Sequence, residues 1–206
     1  MNKEKLDEYL NRRHFPLQKS FIHINNLIFL IANIALFWLF KNIIACIISG
    51  TLFIILLIVS LKNINYLNDY DSSLLVRASI AGYWFCFITI FVLLFQLKVN
   101  IRYWFLIIEA VLSAITFYIG KKSFEKTVWD NQYESSDFES IRKKSVIAST
   151  TVYVILSGFE ISISQNTGFA IISVLLFSFS VFACFLFSYT VSMYISYIKL
   201  CCPKDN

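Results

Sequence analysis

Two carboxylates stand apart from the other acidic residues of this 206-residue chain. Glu109 and Glu160 fall within or at the edge of long apolar runs, while the remaining acids cluster in polar segments. An ion buried in hydrocarbon costs at least ~2.5–3.5 kcal/mol, so a residue of this kind normally has a partner or a task. Glu109 begins a stripe. Ser113, Thr116 and Gly120 follow it at i+4, i+7 and i+11, which places all four on one helical face. Arg102, seven residues earlier, shares that face two turns outward and is a candidate counter-ion. Glu160 lies about one turn from Gln165 and Asn166.

Three roles are open for Glu109. It can be a protonated, hydrogen-bonded packing residue, part of a proton or cation path, or the salt-bridge partner of Arg102 or of a basic residue on another subunit. The wider candidate polar site is therefore Glu109, Arg102, Ser113, Thr116 and Glu160. Packing explains the other intramembrane polar groups more simply. Asn26 and Asn33 stand seven apart, where their amides can bond a neighbouring helix. Ser173, Ser180, Cys184, Ser188, Ser192 and Ser196 trace a seam of small side chains near the C-terminus, and Ala78 and Gly82 form a small-xxx-small pair. Such seams let helices approach closely. A pore lined by hydroxyls is the functional alternative.

Catalytic patterns are missing. The two histidines, His14 and His23, both lie near the start, and no H-E-x-x-H occurs. Ser157-Gly158 is not part of a G-x-S-x-G elbow, and five glycines form no phosphate-binding loop. Cys201-Cys202 lacks the further ligands that a metal needs. No catalytic residue, metal or cofactor is expected.

The elements that must position Glu109 follow from composition. Hydrophobic residues make up 58% of the chain and charged residues 15%, against about 25% charged in an average soluble domain. Mean hydropathy is +0.67. A soluble domain, a disordered chain and a disulfide scaffold are all poor fits, and the apolar runs are too continuous for an outer-membrane barrel. The expectation is an all-α, polytopic integral membrane protein with six spans near 21–40, 42–61, 74–97, 101–120, 145–163 and 168–189. Each approaches the roughly 20 apolar residues needed to cross a bilayer. Only Lys41 and Asn42 separate the first two. They must form a very tight hairpin, or else the pair is one broken helix or a re-entrant loop. No A-x-A-like cleavage site follows the first run, so it reads as a retained signal anchor.

Charge orients these spans. With a cytoplasmic N-terminus, fifteen lysines and arginines fall inside, while Lys41, Lys98 and Arg102 fall outside. The positive-inside rule then gives N-in and C-in, in the cytoplasmic membrane. Residues 1–20 form a cytoplasmic segment with Leu6, Tyr9 and Leu10 at helical spacing, read first as an interfacial helix and second as a partner-binding one. Residues 21–198 form the transmembrane domain, and 199–206 a cytoplasmic tail. The 121–144 loop carries Phe124, Trp129, Tyr133 and Phe138 among charges. That spacing fits an amphipathic surface helix and makes the four aromatics candidate docking residues.

The function expected from these features is a non-enzymatic membrane component that binds a soluble or membrane protein partner. It would be of the kind found as the membrane arm of a toxin-immunity or phage-defence pair. The alternative is a small channel or proton-coupled transporter built around Glu109. The lipid bilayer is the certain partner and a homo-oligomer an open one. Nucleic acid is not expected, because topology already accounts for the net charge of +5.

Overall fold

A computed structural model describes residues 3–12, 17–98, 104–129 and 167–201. Among these residues the fold is all-helical: α1 (Lys3–Arg12), α2 (Lys19–Phe40), α3 (Ile43–Asn63), a 3-10 turn (Ile64–Tyr66), α4 (Tyr70–Lys98), α5 (Trp104–Trp129) and α6 (Thr167–Cys201). Four segments are long and apolar enough to cross a membrane: Lys19–Phe40, Ile43–Tyr66, Tyr70–Lys98 and Ile171–Cys201. The segment 145–163, expected as a span, lies outside the described residues.

The tight junction after the first apolar run is a genuine two-residue turn. Lys41 adopts a left-handed conformation (φ 51°), which ends α2, and its N–H donates to Phe37 O at 2.9 Å. Asn42 then caps α3, its side chain accepting from Ala45 N at 3.1 Å. Each residue satisfies a backbone group that a helix end otherwise leaves orphaned. Ser49 on α3 donates to Asn33 on α2, and Leu36 and Ala45 share a core near the turn, so α2 and α3 form an antiparallel hairpin of two separate helices.

Helix directions follow from which residues meet. Phe29 stacks near Tyr83 and Phe40 near Phe91, so α2 and α4 run the same way. Thr89 meets Ser180 while Tyr70 meets Tyr197, so α4 and α6 run oppositely. Between α5 and α6 the pairs are Glu109–Ser180, Ser113–Cys184 and Phe117–Ser188, all at a constant offset of 71 residues. A constant offset means two parallel helices. At a rise of about 1.5 Å per residue, Trp129 and Thr167 then lie roughly 50 Å apart along the bundle axis.

Close approach makes this parallel pair possible. A Cβ on Gly120 would lie 2.9 Å from Ser188 Cβ and 3.0 Å from Phe185 O. α4 also packs tightly on α6, because a Cβ on Gly82 would meet the Phe187 ring at 2.9 Å.

Among the described residues, three apolar clusters pack the helices together. One joins Ile22, Phe29, Leu56, Val76, Ile80 and Tyr83 across α2, α3 and α4. A small one, Leu36, Ala45 and Leu94, lies beside the α2–α3 turn. The third sits at the opposite end, where Leu6, Tyr9 and Leu10 of α1 pack on Leu74, Phe124, Val128, Phe185, Tyr189 and Met193. The N-terminal helix and the C-terminal end of α6 therefore share one end of the bundle.

Two expectations change here. α1 does not offer its apolar face to the membrane surface or to a partner; that face is spent on the bundle, each buried side chain being worth roughly 1.5–3 kcal/mol. α5 runs nine residues beyond Gly120, to Trp129, so the start of the anticipated 121–144 loop is a continuous extension of α5. Lysine and glutamate are good helix formers, so their charge did not end the helix at the membrane boundary.

Replacing Gly120 by alanine should lower stability by about 1–3 kcal/mol through overpacking against α6. Gly50→Ala, which meets nothing within 4 Å, should be neutral or stabilising by up to about 1 kcal/mol. Thermal unfolding of the purified protein in one detergent reads both.

Candidate functional site

Glu109 lies on α5 in the wedge between α4 and α6, and only 3% of it is exposed. The Ser180 hydroxyl is 3.3 Å from Glu109 Oε1, and Thr89 Oγ1 is 3.0 Å from Ser180 Oγ. A hydroxyl has one hydrogen and the acceptor oxygen of a carboxyl has none, which orders the chain as Thr89 donating to Ser180 and Ser180 to Glu109. Glu109 Oε2 is fully enclosed and finds no hydrogen-bond partner.

The magnitudes decide what this arrangement can hold. A charge-assisted O–H···O⁻ bond is about 2.5–2.7 Å long, and the Ser180 contact is clearly longer. One neutral hydroxyl bond contributes about 0.5–1.5 kcal/mol. That does not offset a buried charge, which costs at least ~2.5–3.5 kcal/mol. The enclosed carboxyl is balanced when Glu109 holds a proton, which Oε2 can carry.

Below Glu109 the stripe seen in the sequence does face α6. Cys184 Sγ donates to Ser113 O at 3.3 Å, and Ser188 Oγ donates to Phe117 O. α5 thus contributes backbone carbonyls to this seam, with the donors coming from α6. Ser113 and Thr116 are half-buried and Gly120 is buried. Towards the α2–α3 turn, the α4–α6 register sets the buried Gln96 opposite the buried Ser173, and Gln96 Oε1 is enclosed without a partner.

A second polar knot ties α2, α3 and α4. Asn33 Nδ2 donates to Phe29 O at 2.8 Å and to Tyr83 Oη, and its Oδ1 accepts from Ser49. Asn33 is fully used, as a packing residue should be. Asn26, expected beside it, has its Oδ1 enclosed and unpartnered.

The remaining candidates divide clearly. Phe124 is not a docking residue on the surface. Its ring is buried under α1, edge-on to Tyr9 at 6.4 Å and to Tyr189 at 5.4 Å. Trp129 ends α5. Arg102, Tyr133, Phe138 and Glu160 lie outside the described residues. Thr89 and Tyr83 were not singled out in the sequence. A lone threonine or tyrosine in an apolar run carries no spacing signal until the register of the neighbouring helices is known. Among the described residues no group of three or more His, Cys, Asp or Glu side chains gathers to hold a metal.

No family model, curated protein or solved structure matches this chain. Function has to be argued from the site itself.

A double-mutant cycle between Ser180→Ala and Glu109→Gln should show coupling near ~0.6 kcal/mol, within the range of interhelical hydrogen bonds in membranes. Asn33→Leu should destabilise by about 1–3 kcal/mol, because it strands the Ser49 and Tyr83 hydroxyls, whereas Asn26→Leu should cost little. Unfolding titrations in mixed micelles measure all five variants, the Ser180→Ala/Glu109→Gln double mutant included.

Proposed function

We propose that this chain is a six-span protein of the cytoplasmic membrane that passes protons or a small monovalent cation by way of Glu109. The observation that carries this reading is the enclosed, unpartnered Oε2 of Glu109, joined through Oε1 to a two-hydroxyl chain.

The parallel register of α5 and α6 supports the count of six. α5 ends at one end of the bundle and α6 begins at the other, an arrangement in keeping with an even number of spans. α1 and the end of α6 share one end, and the distribution of fifteen basic residues against three supports a cytoplasmic reading of that end. The outward faces of α2 and α3, with Trp38, Ile43 and Ile44 exposed, suit lipid contact.

The partner-binding reading, including the toxin-immunity and phage-defence versions, comes second. Its proposed surface has lost Phe124 and the apolar face of α1 to the core, and it rests on the polar face of α1 and residues 130–144.

In reconstituted vesicles under an imposed pH gradient, Glu109→Gln should abolish the flux that the protein carries while insertion and folding are retained. Undiminished flux in that variant would remove the proposal. A reporter fused after Lys41 should read as outside; a cytoplasmic signal there would overturn the six-span topology.

A further inference from the structure

We propose that the face of α5 turned away from α6 binds an anionic phospholipid of the inner leaflet. Its phosphate is held by Lys122 and Lys126, and an acyl chain lies along Ile107, Val111 and Ile115. This rests on the reading of α5 as a span whose Trp129 end is cytoplasmic, and it makes no use of Glu109 as a site of passage.

The helix divides into two faces. At about 100° per residue, Glu109, Gly120, Phe124 and Val128 share one arc, and all four are buried. The opposite arc is open. Ile107, Val111, Ile115 and Tyr118 each leave half or more of their surface exposed. Lys121, Lys122, Glu125 and Lys126 continue that arc beyond Tyr118, and they are exposed too.

The open face changes character along its length. Ile107 to Tyr118 is about 16 Å by the helical rise, close to half of a ~30 Å hydrocarbon core. The aliphatic stretch thus matches one leaflet, a tyrosine stands where the headgroups begin, and the lysines follow.

Aliphatic side chains suit any lipid, so it is charge that selects. Three lysines against Glu125 leave a net +2 within two turns. Lys122 and Lys126 stand at i and i+4, where like charges repel and an anion between them relieves the repulsion. Lys122 is already turned towards the bilayer. Its Nζ lies 5.2 Å from the centre of the Tyr118 ring, one turn nearer the membrane. An ammonium over an aromatic face keeps its charge, and here it is held at the depth of a lipid phosphate. A zwitterionic headgroup brings an ammonium of its own, which the lysines repel. An anionic headgroup does not.

The test places the full chain in phosphatidylcholine vesicles. These contain a trace of either phosphatidylglycerol or phosphatidylcholine that carries a photoactivatable diazirine in its acyl chain. Peptide mass spectrometry maps the cross-links. Labelling of 107–115 by the anionic probe should exceed that by the neutral one about fivefold or more, the factor that one lysine near a membrane surface supplies. Lys122→Gln with Lys126→Gln should bring that ratio to about one. Lys3→Gln with Lys62→Gln removes the same charge from exposed positions at the same end of the bundle, and should leave the ratio unchanged. Substitutions at exposed positions such as these four cost little stability.

Equal labelling by the two probes means ordinary boundary lipid and overturns the proposal. So does a preference that survives Lys122→Gln with Lys126→Gln, or one that falls as far in the Lys3, Lys62 variant, which would be the surface potential alone. Competition by excess inorganic phosphate would reassign the lysines to a soluble anion and overturn it as well. If neither probe labels the face, Ile115→Cys decides between two causes. A thiol closed to a water-soluble maleimide means that protein covers the face, a second copy included, and the lipid proposal falls. A thiol open to it puts α5 in water, and the span reading itself falls.

Discussion

Helices inside a bilayer gain little from leaving lipid for one another, because lipid tails are as apolar as leucine. What holds α5 to α6 is therefore contact at close range, made possible by small side chains and completed by hydrogen bonds. The constant 71-residue offset is the visible result. One turn apart, a serine meets a carboxylate, a cysteine meets a carbonyl, and a serine meets the next carbonyl. Gly120 brings the backbones near enough for that ladder to form. No short loop ties the pair, so the side chains along the seam must define its register.

The rest of the bundle depends on this pair. α4 enters the groove beside it, with Thr89 on Ser180 and Gly82 under Phe187. α1 covers its lower end through Phe124 and Tyr189. Glu109 is buried because the seam is tight, and its unpartnered oxygen follows from a wedge that supplies one hydroxyl donor rather than two. A slip of one residue between α5 and α6 would rotate Glu109 by about 100° out of the wedge, since each residue advances the helix by that angle. The α2–α3 hairpin is held to α4 by its own polar knot at Asn33 and stands apart from the seam.

Much of this was legible in the sequence wherever spacing carries information. The Glu109, Ser113, Gly120 stripe and the Ser180, Cys184, Ser188 seam each keep a period of three or four residues, and the two faces meet. The junction at Lys41 and Asn42 was legible only as a choice between a tight hairpin, a broken helix and a re-entrant pair, and the left-handed Lys41 with the Asn42 cap decides it. Partner choice across helices was not legible. Thr89 carries no pattern of its own, and Phe124 among charged residues looks the same whether it faces solvent or a docked helix. The surface that α1 covers was not legible for the same reason: an amphipathic helix needs an apolar surface, but its sequence does not say whether that surface is lipid, a partner or the chain's own bundle. Arg102 and Glu160 stay as sequence-level candidates beyond the described residues.

The parallel register of α5 and α6 is the premise on which the placement of Glu109 against Ser180 depends. Oxidative cross-linking in native membranes tests it directly, using the native Cys184 after the other cysteines are changed to serine. A cysteine at position 113 (Ser113→Cys) should cross-link to Cys184 within one chain, while one at the exposed position 115 (Ile115→Cys) should not. Failure at 113, together with cross-linking from 115 or from a position near the far end of α5, would contradict the register and with it the placement of Glu109.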